Sequence, residues 1–350
     1  MRGQIISFVS GKGGAGKSVI LANLAALMAR NGNRVLMVDC DFFTRGLTFY
    51  MIGDEPARTG ILDYLRGDET LEHAISRLEK RAKGYDRLNL LPASSRTTLY
   101  SVSDLDGKVH ARDSDSLKRI YSKLRALLLQ LAKRFDYVLV DTRSGVDPVS
   151  LLPAVASNEY VLVVEEDKTS WRIGDLLIVE MRKISDKLAD GKLKPSGTFK
   201  GFIINKVTEE IPEEFIRDYL EKRVIEGECL LQIPLERAVP MAFKVDKLVI
   251  DESPSSTFSQ KIEILSRVVR GLPVLGRPRK ELVEKIAEFY GTSETLIMLI
   301  SFLIYSGGIL MLFAEGPSLI YIPMLALSMG LVLIGLIYRT YRIFLKLKRK

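Results

Sequence analysis

At 350 residues, 47% apolar and 27% charged, the chain has the composition of a globular core, with room for one large α/β domain and an appendage or for two domains. Its two cysteines, Cys40 and Cys229, form no CxxC, which argues against a disulfide framework or a zinc site and fits a reducing compartment. Of the net charge of +8, +5 falls in residues 277–350, beside long apolar runs, and points to a membrane surface before nucleic acid.

In chain order, Ile5 to Val9 reads as a buried strand, reached with no signal peptide before it. It breaks into Gly11-Lys12-Gly13-Gly14-Ala15-Gly16-Lys17-Ser18 and then into a helical pattern from Val19 to Arg30. Strand, glycine loop and helix form the context of a phosphate-binding P-loop, GxxxxGK[ST]. Backbone N–H groups close around phosphate oxygens there, and the positive end of the helix dipole points at them. The pattern predicts that Gly11, Gly13, Gly14, Ala15, Gly16, Lys17, Ser18 and Val19 bind nucleotide. Lys17 would reach the β- and γ-phosphates, and the Ser18 hydroxyl would ligate Mg2+.

Arg34 to Asp41 reads as a second buried strand, apolar on both faces as in a parallel sheet, and it ends in the acids Asp39 and Asp41. Polar residues at strand C-termini sit where such sheets bind ligands. A short helix is expected over residues 60–67, a strand segment over Leu88 to Ser94, and a Ser/Thr/Asp-rich surface loop over 94–116. A helix from Ser116 to Arg134 leads into Tyr137-Val138-Leu139-Val140-Asp141, four apolar residues ending in an acid, in which Asp141 would hold the Mg2+ water shell. Further on come a strand at Tyr160–Glu165, a helix at Ser170–Lys187, a strand ending in Asn205-Lys206 and a last helix from Thr257 to Gly271.

The extra lysine of the loop, Lys12, gives it the spelling KGGxGK[ST], and this resembles the deviant Walker A loop of ParA/MinD P-loop ATPases. The resemblance runs over roughly residues 4–271. It implies a doubly wound, mostly parallel α/β sheet with helices on both faces, a P-loop NTPase that hydrolyses ATP with Mg2+. It also implies a homodimer closed through the nucleotide face, with Lys12 reaching the partner subunit's nucleotide. Carried over residue by residue, Lys12, Lys17 and Asp41 are catalytic, with Asp41 positioning the attacking water. Asp39, with Ser18 and Asp141, belongs to the magnesium shell; either acid of the pair could instead be a helix cap or turn former. Asn205 would read adenine, ATP being favoured over GTP because Thr208 stands where NKxD has an acid. Pro234, in an I-P-x-D-like segment, would pass close to the base. The usual D-x-P-x-G text is replaced by Asp141-Thr142-Arg143-Ser144-Gly145; Arg143 could stabilise transition-state charge or simply face solvent.

Residues 272–294 read as a linker with a short amphipathic helix (Lys280 to Tyr290), and 339–350 as a basic cytoplasmic tail. Between them, Thr295 to Ala314 and Ser318 to Tyr338 carry no charge, and each is long enough to span a ~30 Å hydrocarbon core. They predict a C-terminal transmembrane helical hairpin (295–338) with both termini in the cytoplasm, hence a multi-pass protein of the cytoplasmic membrane. The expected function is a membrane-anchored ATPase switch that recruits or gates an unknown protein effector in an envelope, secretion or defence assembly. Its partners would be a second copy and the lipid bilayer, with nucleic acid not expected. The alternatives are a bacterial tyrosine autokinase-like enzyme and a slow-turnover, nucleotide-loaded scaffold or filament subunit.

Overall fold

The computed structural model describes residues 3–53, 59–66, 70–77, 85–93, 114–190 and 193–272. The chain divides into two compact units, Met1–Leu272 and Pro273–Lys350, and every described residue lies in the first.

Eight strands form one sheet: β1 Gln4–Val9, β2 Val35–Cys40, β3 Ser76–Arg77, β4 Leu88–Leu91, β5 Tyr137–Thr142, β6 Glu159–Glu165, β7 Thr198–Val207 and β8 Cys229–Pro234. Their order across the sheet is β3-β4-β2-β5-β1-β6-β7-β8. All neighbours pair in parallel except the edge pair β3–β4. The helices are α1 Lys17–Arg30, α2 Gly46–Ile52, α3 Ile61–Arg66, α4 Leu71–Ala74, α5 Ser114–Leu131, α6 Pro148–Val155, α7 Lys168–Asp190, α8 Glu213–Phe215, α9 Ala238–Lys244, α10 Val249–Glu252 and α11 Thr257–Val269. A π-helix, Ile216–Val224, continues directly from α8.

Central strands are apolar on both faces because both are covered. All six residues of β2 are buried. Side chains leave a strand alternately to the two faces, so Ile5 and Val9 of β1 enter one core while Ile6 and Phe8 enter the other. Residues of α5, α6 and α7 close the first core; those of α1 and α11 close the second. β1 lies between β5 and β6, with α1 carrying the chain off toward β2 on one side. The strand order therefore reverses beside β1, and the crevice at the C-terminal ends of its neighbours is where open parallel sheets bind ligands.

The expected transmembrane hairpin has to be withdrawn from this architecture. No helix among the described residues is long and apolar enough to cross a membrane, and the runs 295–314 and 318–338 lie outside the described residues. An uncharged run of spanning length fits a helix buried against protein as well as one in lipid, so length and hydropathy did not decide the matter. Of the loop expected at 94–116, residues 94–113 lie outside the described residues and 114–116 open α5 instead; the helix expected at 280–290 also lies outside the described residues.

Candidate functional site

The loop between β1 and α1 is shaped by backbone conformations that side chains disfavour. Gly16 caps α1 with φ 93°, and no side chain satisfies the first N–H groups of the helix. Those donors and the helix dipole face the same space, an arrangement suited to an anion. A Cβ on Gly16 would stand 2.2 Å from Asn205 Nδ2, so the loop takes glycine there for close approach as well as for its left-handed turn. The Asn205 amide in turn donates to the Ala15 carbonyl at 2.7 Å and is buried against the loop. Pro234 ends β8, the strand beside Asn205.

Lys17 is buried, and burial pushes its ammonium pKa down against the opposing pull of Asp141, Asp41 and Asp39. Its direct partners are hydroxyls: Nζ donates to Ser10 Oγ at 2.9 Å and to Ser144 Oγ at 2.6 Å. The Ser10 hydroxyl in turn donates to the Lys12 carbonyl. Beside it, the Ser18 hydroxyl donates to Asp141 Oδ2 at 2.5 Å, while Asp141 Oδ1 is buried with no hydrogen-bond partner. A buried carboxylate oxygen left without a donor is costly unless a cation or its water completes it. Ser18 and Asp141 are hard oxygen donors of the kind Mg2+ takes, so the residues fit that ion. Among the described residues no three His, Cys, Asp or Glu side chains gather to hold a metal by themselves. Mg2+ at a phosphate site uses one or two protein oxygens and needs no such cage.

The two acids at the end of β2, Asp39 within it and Asp41 just after, already have partners within the chain. Asp39 accepts from the Asp41 N–H with Oδ1, and from the Thr48 N–H and hydroxyl with Oδ2. It thereby ties the start of α2 to the sheet, and the Thr48 hydroxyl also accepts from the Ala93 N–H. Asp41 accepts from the N–H groups of Phe43 and Thr44 and from the Thr44 hydroxyl, closing the turn into α2. Burial pushes the Asp39 and Asp141 carboxyls upward, each next to another acid.

Lys12 is partly exposed and folds back on its own subunit, with Nζ 3.2 Å from Glu165 and 3.1 Å from Asp167. Glu165 also pairs with Lys206 at 2.6 Å. Arg143 lies with its guanidinium 4.1 Å from the centroid of the Phe43 ring, while Phe42 is buried in the core. Trp171 packs as well, its indole N–H donating to the Glu165 carbonyl. The structure therefore brings Lys12, Lys17, Ser18, Asp39, Asp41, Asp141 and Asn205 around one loop. Sequence reasoning missed Ser10, Ser144, Thr48, Glu165 and Asp167. Glu165 and Asp167 carried a usable signal, acids at the end of a buried strand, the same signal that marked Asp39 and Asp41.

The model of the CobQ/CobB/MinD/ParA nucleotide binding domain matches residues 6–249. The chain belongs to this family. The septum site-determining protein MinD of Synechocystis is 27% identical over 175 residues, which cover 50% of this chain and 58% of that protein. Pyrococcus horikoshii MinD complexed with Mg-ADP superposes with a TM-score of 0.56 at 23% identity, over 76% of this chain and 95% of that one. An ATP complex of Cyanothece McdA gives 0.60 at 15% identity, over 79% and 99%. At these identities the two structures speak for the fold alone. Family and fold together make this chain a ParA/MinD-like P-loop ATPase. They provide no support for a membrane-anchored variant. The lipid bilayer as a partner, the multi-pass placement in the cytoplasmic membrane and the membrane-anchored form of the function are corrected accordingly, since each rested on the hairpin.

Proposed function

We propose that this ATPase works as a nucleotide-dependent switch or scaffold that binds ATP with Mg2+, closes into a homodimer through its nucleotide face and reopens on hydrolysis. The observation that carries the reading is a buried Lys17 bonded to two hydroxyls together with a buried Asp141 oxygen that has no donor among the described residues. Both are prepared for charges that a magnesium–nucleotide brings: Lys17 for phosphate, Asp141 and Ser18 for the cation. Asp39 would help hold the ion's surroundings by fixing α2. Bound Mg2+ would neutralise charge developing on the transferred phosphoryl group. The chain's own residues do the remainder. The loop N–H groups orient the phosphates, Asp41 aligns the attacking water, and Lys12 leaves Glu165 and Asp167 to reach across to the partner's nucleotide. Asn205 and the backbone near Pro234 border the base.

Thermal unfolding with ATP or GTP, with and without Mg2+, together with mass in solution, tests this reading. ATP with Mg2+ should raise the midpoint and double the mass, GTP should do so only at higher concentration, and Lys17→Ala should abolish both effects. An unchanged midpoint with ATP and Mg2+ would remove the proposal.

A further inference from the structure

Arg143 stands where D-x-P-x-G sequences have proline, and the sequence leaves its role open between transition-state charge and solvent. Its neighbours on both sides are pinned to β1 and the loop that follows. The Thr142 hydroxyl donates to the Phe8 carbonyl at 2.9 Å, Ser144 Oγ lies 3.1 Å from Ser10 Oγ, and the Gly145 N–H donates to the Ser10 carbonyl at 3.0 Å. The segment is thus laced to β1 at 142 and to Ser10, the residue after β1, at 144 and 145, with Arg143 between these ties. Across the sheet, Cys40 of β2 pairs with Thr142, which brings the turn after β2 level with Arg143. That turn is closed by Asp41, whose Oδ1 accepts from the Phe43 N–H at 3.2 Å, and the Phe43 ring lies 4.1 Å from the Arg143 guanidinium. A guanidinium over an aromatic face is attracted by the ring quadrupole and stacks well, which neither a lysine nor an aliphatic partner reproduces.

We propose that Arg143 and Phe43 form a clasp that holds the Asp41 turn at a fixed distance from the Lys17 loop, making both of them positioning residues for hydrolysis. One end of the clasp is rigid, because residues 142–145 are laced to β1 and to Ser10. The other end is the short turn whose aspartate has to face the phosphate. With the clasp broken, the turn keeps its internal hydrogen bonds but loses its registration to the loop, so ATP still binds and the water is aligned less often. Misplacement of an orienting group costs rate and leaves ground-state binding in place.

The inference rests on ATP turnover at this site, and the experiment separates the two. On the full chain, kcat, KM for ATP and the thermal midpoint are measured for the parent, Phe43→Leu, Arg143→Ala, the double variant and Phe43→Tyr. Each of Phe43→Leu and Arg143→Ala should lower kcat about 10-fold with KM within about twofold, and the double variant should be no slower than either. Phe43→Tyr, which keeps the aromatic face, should retain parental kcat. If Arg143→Ala stalls the enzyme while Phe43→Leu leaves it untouched, the arginine acts directly on phosphate and the clasp is overturned. Losses that multiply in the double variant, or that follow a lowered midpoint, overturn it as well. A parent that neither binds nor turns over ATP removes the proposed function, and this inference with it.

Discussion

At the scale of single residues the site is held in tension by burial. Asp39 is pushed up to about 7 and Asp141 up to about 6, first by burial and then, for Asp39, by the neighbouring Asp141 charge. In the unfolded chain both return to about 3.9. The folded protein therefore binds more protons than the unfolded chain between those values, so its stability is greatest below pH 4 as far as these groups are concerned and is lost as pH rises through 6 and 7. Asp141→Asn should ease that loss, since an amide oxygen can still accept from Ser18 and its NH2 takes the place of the oxygen without a donor. Without nucleotide the variant should melt higher than the parent at pH 8 and close to it at pH 5, and Mg2+ should no longer strengthen ATP binding. Parallel thermal scans at the two values check this; a variant that melts lower at both would show that Asp141 stabilises the apo fold.

At the scale of elements, α2 combines buried apolar residues with a few polar ties to the sheet. Its seven residues are fixed at one end by Asp39 and Thr48, and Thr48 passes the constraint on to Ala93 after β4. Thr48→Val keeps the shape and removes the hydroxyl, leaving a carboxylate oxygen short of one donor and the Ala93 N–H without its acceptor. An unsatisfied buried polar group costs about 1–3 kcal/mol, so urea unfolding should show a loss of about that size, and a change under about 0.5 kcal/mol would count against the tether. Such ties explain which parts of the molecule were legible beforehand. β1, its loop and α1 were readable because an apolar run, glycines and a helical period follow one another within the first 30 residues. The acids ending β2 and β5 were readable for the same local reason. Ser144, by contrast, bonds Lys17 across 127 residues of chain, and no local pattern marks it. The two-residue strand β3 and the π-helix Ile216–Val224 likewise match no element expected from the sequence.

For the whole molecule, the proposed homodimer raises the question of how a single subunit would become half of a pair. Lys12 is committed within its own subunit to Glu165 and Asp167, so the contact expected across the dimer must first break two ion pairs. The Lys12–Asp167 pair is exposed and individually weak, and Glu165, though more covered, keeps Lys206 as a second partner, which makes the exchange feasible. Lys12→Ala should then bind ATP and remain a monomer, while Asp41→Asn, which keeps its turn, should dimerise and turn over about 10²–10⁴ times more slowly. Light scattering with ATP tells them apart, and a Lys12→Ala dimer equal to the parent's would end the cross-subunit role. The order of the strands has a kinetic consequence for the same loop. β1 is bonded on both sides, to β5 and β6, and four strands away from it β3 is a two-residue edge paired on one side alone. Amide protons of β1 should exchange with solvent deuterium only when the entire sheet opens, whereas those of the β3–β4 edge exchange through local fraying. The loop that must yield to each incoming phosphate thus hangs from the part of the protein that lets go last.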